Sequence, residues 1–108
     1  MSYNVWLEAK FRNASKPVQL GPNYNISDDC SEMITASVGS APVVWDGRLA
    51  NELLPELSDG INLLIFHSDN YHKYELADGC CTVRGCRDFL IKFQALCKKY
   101  PYATVREE

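Results

Sequence analysis

The sequence predicts an α+β fold, in which a small antiparallel sheet made of an N-terminal hairpin and a C-terminal strand is covered by about three helices. Three observations support this prediction. Apolar and polar residues alternate over residues 3–11, apolar residues recur at helical spacing over 57–65 and 86–97, and a β-prone segment follows at 103–106. No repeat, linker or low-complexity tract interrupts the 108 residues, so we expect a single domain over residues 1–108.

The N-terminal segment has the period of two that is typical of a half-buried strand. Its alternating apolar residues are Tyr3, Val5, Leu7, Ala9 and Phe11. Turn residues follow at 13–17, a short return strand is predicted at 18–20, and Gly21-Pro22 is expected to end it. Trp6 falls on the polar side of the first strand, where it could contact a second subunit or be covered by another part of the chain.

Two helices are expected between residues 27 and 66. Ser27 and the two aspartates after it favour the start of the first helix, and Gly39 favours its end. The main body of the second helix is expected after Pro55, which suits a first helical position, with residues 48–54 as a candidate preceding helical turn. Gly60 lies within that helix and costs about 1 kcal/mol relative to alanine unless another backbone packs closely there.

The third helix has the clearest pattern in the chain. Thr82 is its expected N-cap and Pro101 its expected stop. Its predicted apolar face consists of Cys86, Phe89, Leu90, Phe93, Leu96 and Cys97. The strand at 103–106 then most simply pairs with the N-terminal strand and completes the sheet.

Composition indicates the broad class of the protein but not its specific function. The chain is 46% hydrophobic and 23% charged with a net charge of −3, which is typical of a folded domain and argues against a nucleic-acid-binding protein. No signal peptide or membrane-spanning stretch is recognisable, so a cytoplasmic location without membrane contact is expected. Five cysteines, an odd number, then predict reduced thiols.

From about residue 23 onward, short motifs occur in a characteristic order. They are Asn23-Tyr24-Asn25, Met33, Trp45-Asp46-Gly47, Leu54-Pro55-Glu56-Leu57, Phe89-Leu90, Cys97 and Pro101-Tyr102-Ala103-Thr104. This order resembles a family of small uncharacterised proteins from bacteriophages and actinobacteria, which carries N-x-N, D-G, L-P-x-L, N-G-W-G and FL…C…P-x-A-T motifs. The family's N-G-W-G loop is replaced by Asp78-Gly79-Cys80-Cys81. The resemblance implies a related fold and a phage or prophage setting, but no activity.

The cysteines and histidines do not form a recognisable catalytic or metal-binding motif. Cys80 and Cys81 are adjacent, and Cys86 lies inside the third helix, so these residues lack the C-x₂₋₄-C spacing of structural zinc sites. A thiol nucleophile at Cys80 or Cys81, with His72 as a base, remains an alternative because Cys81 precedes the expected helix N-terminus. No catalytic residue, metal ligand or cofactor is therefore predicted.

Two segments between the regular elements combine aromatic rings with polar groups. The first contains Trp45 and Asp46, and the second contains Tyr71, His72 and Tyr74. Rings of this kind anchor partners in many interfaces, although they can equally pack onto the core of their own domain. We therefore predict these five residues as a site for a partner or ligand.

The predicted function is that of a non-catalytic binding protein of phage or prophage origin. It would occupy a host protein or sequester a small molecule. The alternatives are a small thiol-dependent enzyme and a structural accessory protein that acts by oligomerising; homo-oligomerisation is compatible with all three.

Overall fold

A three-stranded antiparallel sheet forms one layer of the structure, a computed structural model that describes residues 1–108. Its strands are β1 (Ser2–Ala9), β2 (Val18–Ser27) and β3 (Thr104–Glu107), in the spatial order β2–β1–β3. β1 is thus the central strand, antiparallel to both neighbours. The predicted α+β class, with a hairpin and a returning C-terminal strand, is confirmed.

Three α-helices form the second layer. They are α1 (Ser31–Val38), α2 (Ala50–Phe66) and α3 (Val83–Lys99), joined by short 3₁₀ turns. Their buried residues form one core with the sheet residues Val5, Leu7, Ile26 and Val105, which all point to the same side. Because a strand directs successive side chains to opposite faces, the helices cover one face of the sheet and leave the other open.

Strand β2 is longer than predicted because Gly21-Pro22 forms an irregularity within it. Val5 pairs with Tyr24 and Leu7 pairs with Leu20, so residues 21–23 of β2 lie opposite Trp6 alone. Gly21 has a φ of +79°, and a Cβ built on it would lie 2.5 Å from Cδ1 of Leu96 in α3. The residues that were expected to end the strand instead bend it toward α3, as β-bulges do.

Helix α2 begins five residues before Pro55, so the expectation that Pro55 occupies the first helical position is wrong. The amide of Ala50 donates to the carbonyl of Ala103 at 2.8 Å, and that of Asn51 donates to the carbonyl of Pro101 at 3.0 Å. These carbonyls satisfy donors that a helix N-terminus otherwise leaves free. Tertiary contacts, not a local cap, therefore set the start of α2.

Gly60 is the point of close contact between α1 and α2. A Cβ at this position would lie 2.5 Å from Cγ2 of Val38 and 3.2 Å from its backbone nitrogen. Close backbone packing, the condition under which a glycine was expected to be tolerated here, is therefore met.

The predicted end of α1 and both predicted ends of α3 match the structure, whereas α1 itself begins at Ser31, after a 3₁₀ turn over Asp28–Cys30. Ser27 Oγ accepts a hydrogen bond from the Asp29 amide at the turn before α1, and Gly39 ends α1 in a left-handed conformation. Thr82 Oγ1 accepts from the Gly85 amide at 2.9 Å, and α3 ends at Lys99, two residues before Pro101. Local capping chemistry therefore sets the end of α1 and the start of α3, whereas Cys30, which precedes α1, makes no side-chain cap.

Candidate functional site

Trp45, predicted as a partner-binding anchor, lies in the core. Its side chain is 0% exposed, and its ring stacks with Phe89 and Phe93 at centroid distances of 6.5 and 6.0 Å. The indole nitrogen donates to Ser40 Oγ at 2.9 Å, which satisfies the only polar group of the ring. The expectation of an accessible ring at Trp45 is corrected because the 3₁₀ turn 42–45 directs it beneath α3.

The loop with Tyr71, His72 and Tyr74 packs closely onto the domain. Tyr71 is 8% exposed, and its ring lies 6.3 Å from that of Tyr74. His72 is exposed, and its Nδ1 lies 2.7 Å from Glu75 Oε1, while Glu75 Oε2 accepts from the Val83 amide at the start of α3. The loop thus ties the end of α2 to the start of α3.

The structure does not bring the two predicted segments into one site. Tyr74 borders a recess of about 350 Å³ on the surface of α1, with Ser31, Glu32, Thr35 and Ala36. Asp46 instead lies beside β3, and no recess is lined by residues of both segments. Of the five predicted residues, only Asp46 belongs to the cluster described next.

The open face of the sheet carries a connected group of side chains, Trp6, Glu8, Asp46 and Arg106, which we call the open-face cluster. The Trp6 indole nitrogen donates to Glu8 Oε2 at 2.8 Å. Arg106 Nη1 donates to the other oxygen of Glu8 at 3.3 Å, and its Nε donates to Asp46 Oδ1 at 2.9 Å. The guanidinium therefore bridges two carboxylates, and one of these also accepts from the indole.

Backbone pairing explains why these four residues meet. Trp6 and Arg106 are direct cross-strand partners on β1 and β3, and Glu8 lies two residues along the same face of β1. Asp46 belongs to residues 46–48, which run along β3. The Val105 amide donates to the Arg48 carbonyl at 2.7 Å, and the Gly47 amide donates to the Val105 carbonyl at 2.8 Å. This segment also covers the outer edge of β3, which would otherwise expose unpaired backbone groups.

Hydrogen bonds stabilise the charged forms of Asp46 and Arg106. The Glu107 amide, which donates to Asp46 Oδ1 at 2.9 Å, and then the Arg106 side chain lower the pKa of Asp46 below its usual range. The same contact with Asp46 raises the pKa of Arg106. The Arg106 guanidinium therefore lies between the carboxyl groups of Glu8 and Asp46, beside a partly exposed indole ring.

Amide side chains extend the open face on the β2 side. Asn25 Nδ2 donates to Ser2 Oγ at 2.9 Å, and Gln19 Nε2 donates to Asn23 Oδ1 at 2.6 Å. The open face thus has an aromatic residue on its central strand, with charged groups on one side and amides on the other. Sequence alternation placed Trp6 on this side of β1, but the contact between Arg106 and Asp46, sixty positions apart, had no sequence signal.

Two of the five cysteines are paired, so the prediction that all are reduced is wrong for Cys30 and Cys81. These residues form a disulfide with a Cα–Cα distance of 5.2 Å, and both are almost fully buried. It joins the turn before α1 to the turn before α3. Fifty-one positions separate the two cysteines, and spacing alone does not identify such a pair.

The three free cysteines have pKa values raised above the usual range. Burial raises the pKa of Cys86 and of Cys97 to about 12. Cys80 is exposed, but its hydrogen bond to the Asp78 carboxylate raises its pKa as well. Because the thiolate is the reactive form, the raised pKa values lower the reactivity of these three thiols.

Searches of protein-family models, curated proteins and solved structures find no match to the chain. The structure contains no helix with both the length and the apolar character needed to cross a membrane. It also contains no group of three His, Cys, Asp or Glu side chains placed to hold a metal ion.

Proposed function

We propose that the chain is a non-catalytic interaction protein that binds a partner protein through the open-face cluster. The main support is the position of Trp6, a partly exposed indole on the central strand of a sheet face that no helix covers. Trp and Arg are the residues most enriched at the energetic centres of protein interfaces. Both occur here as cross-strand neighbours.

The size of the nearby recess favours a protein over a small molecule as the partner. The recess that includes Glu8 and Arg106 has a volume of about 160 Å³. Drug-sized ligands occupy pockets of about 300–1,000 Å³ that enclose most of their surface. An open sheet face with one ring and several polar groups suits the surface of another protein better.

A phage or prophage setting, which the family resemblance implies, would make this partner a host protein in the cytoplasm. A disulfide is uncommon in that compartment. The Cys30–Cys81 pair is buried, however, which limits the access of reducing thiols to its sulfur atoms. The bridge is therefore compatible with a cytoplasmic interaction protein.

Affinity capture from the natural source, followed by a binding measurement with the purified partner, tests this proposal. Trp6→Ala and Arg106→Ala should each weaken binding by about 2 kcal/mol, or about thirtyfold in Kd, with circular dichroism showing a retained fold. Phe66→Ala is the matched control, because Phe66 is 74% exposed on α2, away from the open face. This variant should bind like the wild type.

Partner binding that persists in the folded Trp6→Ala variant would refute the proposal. A captured partner that is a second copy of the chain would instead favour the oligomerising accessory protein. Native mass spectrometry of the same sample reports the subunit count and any retained small molecule.

A further inference from the structure

The charge of the chain is divided unevenly between α3 and the rest of the molecule. α3 holds five of the eleven Lys and Arg residues but only one of the fourteen Asp and Glu residues. The helix therefore carries a formal charge of +4 and the remainder carries −7. The net charge of −3 conceals this cationic helix within an acidic protein.

The basic residues of α3 share one side of the helix. At about 100° per residue they lie within an arc of about 140°, together with Ile91. We call this surface the cationic face; its basic residues are Arg84, Arg87, Lys92, Lys98 and Lys99. Ile91 and Asp88, the one acidic residue of α3, lie within the same arc. The opposite side of the helix contains the buried residues, including Phe89 and Phe93, which pack against Trp45.

Most charges of the cationic face are unpaired within the chain. Arg87 contacts Asp88 at 3.5 Å, whereas Arg84, Lys92, Lys98 and Lys99 make no salt bridge. Ile91, near the middle of the face, is 39% exposed. Because α3 packs on the covered side of the sheet, its cationic face and the open-face cluster point to opposite sides of the molecule.

We propose that the cationic face is a second docking surface, which binds a short acidic segment of a partner protein. Charge complementarity selects an anionic partner. The charge of the remaining residues then favours a short partner segment. A continuous polyanion, such as duplex DNA or a lipid surface, extends past α3 and is repelled by the formal charge of −7 on the rest of the molecule. The 17 residues of α3 span about 25 Å, which about eight extended residues of a peptide would match.

Fluorescence anisotropy with a labelled octaglutamate peptide tests the proposal. The variant Arg84→Gln/Lys98→Gln/Lys99→Gln should bind the peptide about tenfold more weakly than the wild type. The matched control is Lys10→Gln/Arg12→Gln/Lys16→Gln, which removes the same charge from the exposed hairpin loop and should bind within about twofold of the wild type. Thermal melts by circular dichroism confirm that both variants are folded.

Equal weakening by the two triple variants would overturn the proposal, because net charge alone would then govern binding. Tighter binding of duplex DNA or of anionic vesicles than of octaglutamate at 0.15 M salt would also overturn it. The result is independent of the proposed function. Trp6 lies on the side of the molecule opposite the cationic face, so Trp6→Ala should leave octaglutamate binding unchanged.

Discussion

The two tryptophans of the chain provide a direct test of the core, because the structure gives them opposite environments. Trp45 is fully buried against the rings of Phe89 and Phe93, and Trp6 is partly exposed on the open face. Truncating a buried Trp to Ala removes its transfer free energy and leaves a cavity, which together cost about 3–5 kcal/mol. We expect Trp45→Ala to lower the free energy of unfolding by this amount, and Trp6→Ala by about 1 kcal/mol.

Urea unfolding of both variants, followed by far-ultraviolet circular dichroism, measures this difference. A domain of this size has a total stability of about 5–15 kcal/mol, so Trp45→Ala should use up a large part of it. In thermal melts the loss corresponds to a fall in Tm of at least about 12 °C. Trp6→Phe leaves Trp45 as the only indole, and its fluorescence should be that of a ring without water contact until the protein unfolds.

A loss of less than about 1.5 kcal/mol for Trp45→Ala would refute the placement of this ring in the core. Equal losses for the two variants would also contradict the structure, because they would mean that both indoles are buried to a similar extent. In either case Trp45 would return as a candidate for partner binding.

Three further predictions concern individual contacts. Gly60→Ala should destabilise the domain by about 1–3 kcal/mol despite the better helix propensity of alanine, because the new methyl group clashes with Val38. Urea unfolding of this variant and of Gly60→Ala/Val38→Ala should show that the double variant regains part of the lost stability. Asp78→Asn should speed alkylation of the Cys80 thiol by iodoacetamide near pH 8, since it removes the carboxylate that raises the pKa of Cys80; an unchanged rate would contradict this. The pKa of Asp46 is lowered in the folded state, so its carboxylate stabilises the fold at pH values above the usual carboxyl pKa. This stabilisation is lost as the pH falls through the folded-state pKa. The difference in Tm between the wild type and Asp46→Asn should therefore narrow below about pH 4.

The elements that the sequence predicted well are those with local physical causes. The alternation in β1 and the stripe in α3 arise from burial of one face of a single element. Thr82 and Gly39 act through atoms within four residues of their own position. Such signals are complete within a short window of sequence.

Features that depend on distant contacts could not be predicted in this way. α2 begins at Ala50, where carbonyls near residue 102 accept its first amides, and β2 continues past Gly21, which lies close to Leu96 of α3. The burial of Trp45 likewise depends on two rings of α3. Each of these contacts joins residues more than forty positions apart.

The candidate site was predictable only in part, for the same reason. Alternation placed Trp6 on the outer side of β1, but composition could not show whether anything covered it. The segment with Asp46 was identified for its aromatic neighbour, which proved to be buried, while Asp46 itself joined the open face through Arg106. Asp46 in a turn and Arg106 in a strand are sixty positions apart, and no periodic sequence pattern indicates that they are in contact.

The strand order β2–β1–β3 also determines the sequence of events during synthesis. β1 is made first and pairs with β2 as soon as the hairpin has formed, but its other edge stays unpaired until residues 104–107 have been added. Until then the nascent chain exposes the backbone donors and acceptors of its own central strand, a surface that can pair with other chains. Completion of the sheet requires closing a loop of nearly the whole domain, so formation of the β1–β3 ladder is expected to limit the rate of folding.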